Sequence, residues 1–357
     1  MKTTSWPVPI EAPVAVPRVS ITVDPLLADE LSREVRFLPL IRIMQSKSFT
    51  TRTEAEALLT DLMYRTALTK GTCFQYTASE KAKALVAEAF ATRHKSKKIA
   101  KAREALNRFP NCAEAYLLLA ECESEYLRKV KLLERGVEIA SADLDKSRFA
   151  EPDGYFWQEL ITRPYIRCRT ALARTLWENN DKGAAVEHFR DLLRLNPYDN
   201  QGIRYHLLNW LLEHDCSSSV VDEYCSEYES DKAASVKFAC ALWKFARFGA
   251  GEQSHAALDA AIEANEFVVA VLCGRANLPV LTSTRVERGT AQEAIMYHHI
   301  GGNAWKGVAG ALNWLENRCP GHLSDKRILQ EIARAKNFQT DGHWVGAVPI
   351  EIMRMIN

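Results

Sequence analysis

The densest chemistry in the sequence is positive charge. Arg93, Lys95, Lys97, Lys98, Lys101 and Arg103 fall in one short run with His94 among them. Cations at this density can neutralise phosphates along a nucleic-acid backbone. No aromatic side chain interleaves with them, as a platform for stacking single-stranded bases requires. A solvated hairpin turn and outer helix face is therefore the first reading, and RNA contact the alternative. A second set is spaced for recognition. Arg167, Thr170, Arg174 and Glu178 make one polar stripe on a helix, with Trp177 at its end; Asn200, Arg204 and Trp210 would stand beside it on the next helix. Guanidinium groups on adjacent turns can hold a carboxylate in bidentate fashion, which suits an acidic peptide or a terminal carboxylate. The duller reading of Arg174 is a pair with Glu178 along the same helix. Metal chemistry is poorly served. His298 and His299 are adjacent and point about 100° apart on a helix. Cys319 and His322 have ligand spacing, but no second pair completes a tetrahedral zinc site. No nucleophile–base–orienter set is present, so no catalytic residue, metal or other cofactor is expected.

The element that must carry the stripe runs from Pro164 to Asn200. Leu172, Ala173, Leu176 and Trp177 recur at helical spacing, and Ala184, Ala185, Phe189, Leu192 and Leu193 do so again. Asn179, Asn180 and Asp181 supply the turn and Pro197 ends the second helix. Small Ala173 and Ala185 let the two helices approach closely, and Phe189 fills the space beside them. This hairpin resembles a tetratricopeptide repeat. Ala173, Ala185, Phe189 and Pro197 match its small, aromatic and Pro positions, whereas Arg169 stands where the usual early aromatic would be. The resemblance implies that partners bind a concave groove lined by the first helix of each hairpin. Asn200 and Arg204 match part of the carboxylate clamp of chaperone-binding members, but the remaining clamp positions depart from it.

The same helix–turn–helix form recurs at 79–109, 111–140, 200–229 and 231–264. One hairpin cannot bury both its apolar faces, so tandem hairpins must stack. The fold class is all-α, a right-handed α-solenoid with atypical ends, since very few segments alternate with period two. Residues 1–27, rich in Pro and Val, read as an extended N-terminal segment. N-terminal helices follow over 28–78, the second capped by Thr53 ahead of Glu56. The repeats span 79–275, with an inserted loop over 141–163 and an aromatic turn at Tyr155, Phe156 and Trp157. An irregular helical cap occupies 276–357. In it, Gly301-Gly302 reads as a helix stop before an Asn303 cap, and Ser324 caps a last helix over 325–335. Phe267 to Cys273 reads as the opening of one more hairpin.

The chain has 357 residues, 47% hydrophobic and 25% charged, with a formal net charge of +1. That composition buries a full core and gives no global field for nucleic acid or anionic membrane. No apolar run reaches the roughly 20 residues that cross a bilayer. The Pro-interrupted N-terminus does not read as a signal peptide. Nine cysteines are scattered without a Cys-x-x-Cys pair. They read as small core hydrophobes rather than a disulfide framework, Cys168 and Cys273 among them. A reducing compartment follows, cytoplasmic with the nucleus as alternative.

Three stretches go beyond the generic repeat: NCAEAYLLLAE at 111–121, the run from TRPYIRCR to RLNPYDNQG at 162–202, and EAIMYHHIGGNAWKGVAGALNWL at 293–315. They resemble the tetratricopeptide-like proteins related to the suppressor of tumorigenicity seven family, over roughly residues 80 to 317. The resemblance carries no catalytic residues to transfer and implies a helical-repeat protein. The expected function is a non-enzymatic adaptor or scaffold that binds a protein or peptide partner in the groove. RNA association through the basic turn is the alternative.

Overall fold

A computed structural model describes residues 25–69, 74–150, 156–214, 218–276, 278 and 286–335. The Pro-rich segment before residue 25, Tyr155 of the aromatic turn and everything after 335 lie outside them. Every regular element among the described residues is a helix. The chain opens with α1 (Pro25–Gln45) and α2 (Arg52–Thr69). Five pairs follow in order: α3 (Ala78–Phe90) with α4 (Lys95–Arg108), and α5 (Ala113–Cys122) with α6 (Tyr126–Ala142). After a single turn, α7 (Ser147–Ala150), come α8 (Arg163–Glu178) with α9 (Lys182–Leu195). Next are α10 (Ile203–His214) with α11 (Ser218–Glu227), and α12 (Ala234–Phe248) with α13 (Glu252–Ala264). The last five helices are α14 (Phe267–Leu272), α15 (Ala291–Gly307), α16 (Ala311–Arg318), α17 (Pro320–Ser324) and α18 (Lys326–Arg334).

Local chemistry sets these boundaries. At α3, Thr77 Oγ1 accepts from Glu80 N at 3.2 Å while the Glu80 carboxylate accepts from Thr77 N at 2.7 Å. Two orphan donors are satisfied reciprocally. Pro164 sits in the first turn of α8, where its missing N–H costs nothing. The α8–α9 turn closes through Asn180 in the left-handed region, φ 68°, a conformation that Asn tolerates better than most residues.

Each hairpin packs on the next chiefly through its second helix: α4 packs on α5, α6 on α8 and α9 on α10, with α3 on α5, α5 on α8 and α10 on α12 adding contacts between first helices. The small residues allow this. Ala173 and Ala185 are fully buried, as is Phe189 between them. Gly136 of α6 leaves no room for a side chain, because a Cβ there would lie 2.9 Å from Cys168 Sγ and 3.3 Å from the Ala113 carbonyl. One apolar cluster runs from Ala28 of α1 through the hairpins to Ala239 of α12. A second begins at Ala234 of α12 and extends to Ala335. A third, smaller cluster joins the end of α1 to α2 through Leu40, Met44, Ala55, Leu59 and Leu62. The two long-range additions are α1, which lies along α3, and α15, which lies on α10 and α12.

Several local expectations change. Thr51, not Thr53, caps α2, with its hydroxyl accepting from Glu54 N at 3.2 Å. Asp325, not Ser324, caps α18, accepting from Arg327 N and Ile328 N; its carboxylate is the stronger acceptor. Gly301-Gly302 does not stop a helix, since α15 runs through both. A Cβ at Gly301 would lie 2.5 Å from Asn209 Oδ1 and 2.6 Å from the Tyr297 ring, so the glycine admits α10 rather than ending α15. α14 is a short helix packed on the next helix, α15. Cys225 and Cys240 are joined by a disulfide with Cα atoms 5.8 Å apart. The packing of α11 on α12 brings the pair together, which spacing in the sequence does not reveal.

Candidate functional site

The polar stripe of α8 lies between α5, on which the helix packs, and side chains of α10 and the loop before it. At its start, Arg167 is buried and points at three carboxylates. It donates to Glu34 at 2.9 and 2.5 Å and to Glu114 at 2.7 Å, and Glu30 lies 3.0 Å away. Arg163, one turn earlier, donates to Glu34 at 2.6 Å. Both guanidinium groups sit over the Trp157 ring, at 5.2 and 6.0 Å, a favourable cation–π position. Burial alone would raise the Glu34 carboxyl, but Arg167 and Arg163 outweigh it and hold the group below its ordinary range. Burial likewise opposes the Arg167 charge, and Glu34, Glu30 and Glu114 more than restore it. The arginine expected to take a partner's carboxylate thus takes those of α1 and α5.

Farther along, Thr170 is buried with its hydroxyl 3.4 Å from Gln201 Oε1. Arg174 is exposed, and its Nη2 lies 3.4 Å from His206 Nε2 on α10. Trp177 and Trp210 stack on each other, with centroids 4.4 Å apart and planes within 3°. Phe189 stacks on the other side of Trp210, also at 4.4 Å. Lys182 covers Trp177 at 5.0 Å and pairs with Glu213 at 2.9 Å. Burial among these rings, with Arg174 beside it, pushes His206 down to about 3. Arg169, at the departing repeat position, binds the Asp191 carboxylate and donates to Tyr165 Oη at 2.6 Å.

The loop from Asn196 to Gly202 is fixed by a second ion cluster. Asp199, buried and with a positive φ of 45°, accepts from Ile203 N at 2.7 Å and Arg204 N at 3.0 Å. Arg204 returns to Asp199 at 2.9 Å, donates to Asp231 at 3.0 Å and lies over the Tyr205 ring at 4.4 Å. Burial raises the Asp199 carboxyl, while the backbone N–H groups and Arg204 pull it back. Tyr198, between Pro197 and this pinned aspartate, is 68% exposed. Asn200 is exposed as well. A large aromatic held in water by a rigid loop loses little freedom when a partner covers it, the usual setting of an interface hot spot. Because Gln201 reaches Thr170, this loop borders the α8 stripe.

The basic run divides. Lys98 is buried, 3.5 Å from Glu121 and over the Phe90 ring at 5.7 Å, and Lys101 pairs with Glu88 at 2.5 Å. Arg93, Lys95, Lys97 and Arg103 are exposed. The run is therefore partly structural, with four cations left toward solvent. Among the described residues no group of three or more His, Cys, Asp or Glu side chains is placed to hold a metal ion. No described helix is long and apolar enough to cross a membrane.

Sequence reasoning missed the carboxylates and the exposed tyrosine. Glu30 and Glu34 share one face of α1, but nothing local ties them to Arg167, far away in the sequence. Asp199 and Tyr198 were visible only as part of a turn motif.

The ST7 protein family model matches residues 34–327. Among curated proteins, Protein ST7 homolog of Drosophila melanogaster is 28% identical over 255 residues, covering 64% of this chain and 46% of that protein. The chain therefore spans about half the length of this relative. No solved structure matches the chain.

Proposed function

The chain belongs to the ST7 family, and from that premise we propose that it is a non-enzymatic protein-binding scaffold. In this reading the hairpins form a right-handed tetratricopeptide-like solenoid over 79–275, with N-terminal helices over 28–78 and a helical cap over 276–357. A peptide or folded protein docks on the row of first helices. One observation carries the proposal: Tyr198 stands out from a loop whose Asp199 and Arg204 anchors are buried or half-buried. The flanks of the row are occupied, α1 supplying Glu30 and Glu34 to α8, and α15 lying on α10 and α12. The surface assigned to the partner is the seam between α8 and α10, with Tyr198 and Asn200 exposed and Arg174 beside His206. Tyr198 suits an apolar pocket and Arg174 a carboxylate. The charged clusters have their opposite signs already matched, which favours holding elements in place over turning over a substrate. Use of Lys98 and Lys101 inside the fold weakens the RNA reading. A cytoplasmic location suits such a scaffold.

The test is affinity purification of the tagged protein at moderate and high salt. The wild type is compared with Arg174→Ala/Tyr198→Ala and with Lys97→Glu/Arg103→Glu. We expect a stoichiometric protein partner that survives in the basic-run variant and is lost in the seam variant. A partner held equally by the seam variant, or RNA lost only in the basic-run variant, would overturn the proposal.

A further inference from the structure

The geometry points to Cys225 and Cys240 as a thiol–disulfide exchange site that fastens α11 to the body, with a small-molecule disulfide such as oxidised glutathione as co-reactant. It does not depend on the proposed partner seam.

α11 is the most lightly held second helix. It packs chiefly on α10 and α12, and Val221 is the one buried side chain among those described in it. Val220, Tyr224 and Cys225 are partly buried against the same core as Cys240 and Trp243 of α12, and polar ties add to them. Asp222 accepts from Trp243 Nε1 at 2.7 Å and from Arg247. The Cys225–Cys240 bond lies among these contacts, and both cysteines are half-buried. Neither residue is sealed in the core, as Cys112 and Cys168 are.

The other described cysteines contrast with this pair. Cys112, Cys122, Cys168 and Cys319 are buried, and Cys273 is half-buried just after α14. Burial pushes the Cys112 and Cys273 thiols up to about 12 and raises Cys168 as well. The thiolate is the attacking form, so these groups are poor nucleophiles. The pair at α11 differs from all of them in geometry, since only these two described cysteines lie within bonding distance of each other.

The exchange balances in two steps. One cysteine thiolate attacks a sulfur of the small disulfide, forming a mixed disulfide and releasing one thiolate. The second cysteine thiolate attacks the protein sulfur of that mixed disulfide, closing Cys225–Cys240 and releasing the other. Two protein thiols are oxidised, one small disulfide is reduced to two thiols, and the two protons pass to the released thiolates. The cysteines are 15 residues apart. Closing a loop of that length suppresses local opening by on the order of 100-fold in the polymer-entropy picture.

The experiment equilibrates the full-length protein in glutathione buffers from reducing to oxidising. Free thiols are then alkylated under native conditions and mapped by peptide mass spectrometry, and hydrogen exchange is followed over residues 218–228. We expect Cys225 and Cys240 to be labelled together in reducing buffer and protected together in oxidising buffer, with Cys112 and Cys168 unlabelled in both. Exchange in α11 should speed by at least tenfold on reduction, and Cys225→Ser and Cys240→Ser should exchange at the fast rate in either buffer. Two thiols that stay free in oxidising buffer, or α11 exchange that does not respond to reduction, would overturn the proposal.

Discussion

Arg167 and Glu34 lie 133 residues apart in sequence and are joined by two hydrogen bonds of 2.5 and 2.9 Å in the structure. Their bond joins the N-terminal helix to the middle of the repeat row, and with Glu114 it ties α1, α5 and α8 at one point. Glutamates of one helix seated on arginines of another are the contact expected between a helical groove and an acidic ligand, here made within a single polypeptide.

Removing Arg167 leaves Glu30, Glu34 and Glu114 facing one another with Arg163 alone to balance them. Breaking a buried pair from one side costs about 3–5 kcal/mol. Arg167→Leu should lose stability in that range in urea unfolding, and Arg167→Leu/Glu34→Leu should recover part of it. Loss below about 1 kcal/mol would mean the cluster is solvated.

The same cluster sets an acid limit. The folded Glu34 carboxyl lies below its ordinary value near 4.5, so the folded state binds its proton less readily than the unfolded state. Its stabilisation is full above about 4.5 and fades as pH falls through the lowered folded value. Unfolding midpoints should drop on going from pH 6 toward pH 3, and drop less steeply in Glu34→Gln.

His206 adds a slope at milder pH. Its folded value is about 3, against about 6.5 for an unfolded histidine. Between those limits the unfolded state takes up a proton that the folded state refuses. Stability should therefore fall by as much as about 1.4 kcal/mol per pH unit as pH drops below 6.5. Urea unfolding at pH 7.5, 6 and 5 reads the slope, and His206→Phe should remove that share of it.

The α10–α15 contact can be tested with two alanines in one helix. At Gly301 the added methyl would sit 2.5 Å from Asn209 Oδ1, whereas at Gly307 nothing lies within 4 Å. Overpacking of this kind costs about 1–3 kcal/mol, so Gly301→Ala should lower the melting temperature. Gly307→Ala should leave it unchanged or raise it, since Ala favours the helix over Gly by roughly 0.5–1 kcal/mol. Equal effects at both sites would show that α15 does not approach α10 so closely.

The hairpins were legible because their signals are local. Ala173, Ala185 and Phe189 give period and size within a single hairpin, and all three are fully buried. The candidate site was less legible, for a physical reason. Whether Arg167 faces solvent or a carboxylate depends on where α1 lies, and no property of residues 164–200 reports that. Trp177 and Trp210 fall on a helical stripe, but their spacing does not reveal that they stack on each other and that Trp210 also stacks on Phe189. Gly301-Gly302 misleads because a glycine that ends a helix and one that admits a neighbouring helix are the same residue. The Cys225–Cys240 pair needs the packing of α11 on α12 before it exists at all.

The most direct measurement places a photo-crosslinking amino acid at position 198 and, as a control, at Leu127, which is 62% exposed on α6. Both variants are irradiated in the native cell. The proposed seam predicts one dominant protein crosslink from position 198, lost when Arg174→Ala is added, and none in common from position 127. The same crosslinks from both positions, or RNA as the only adduct at 198, would contradict it.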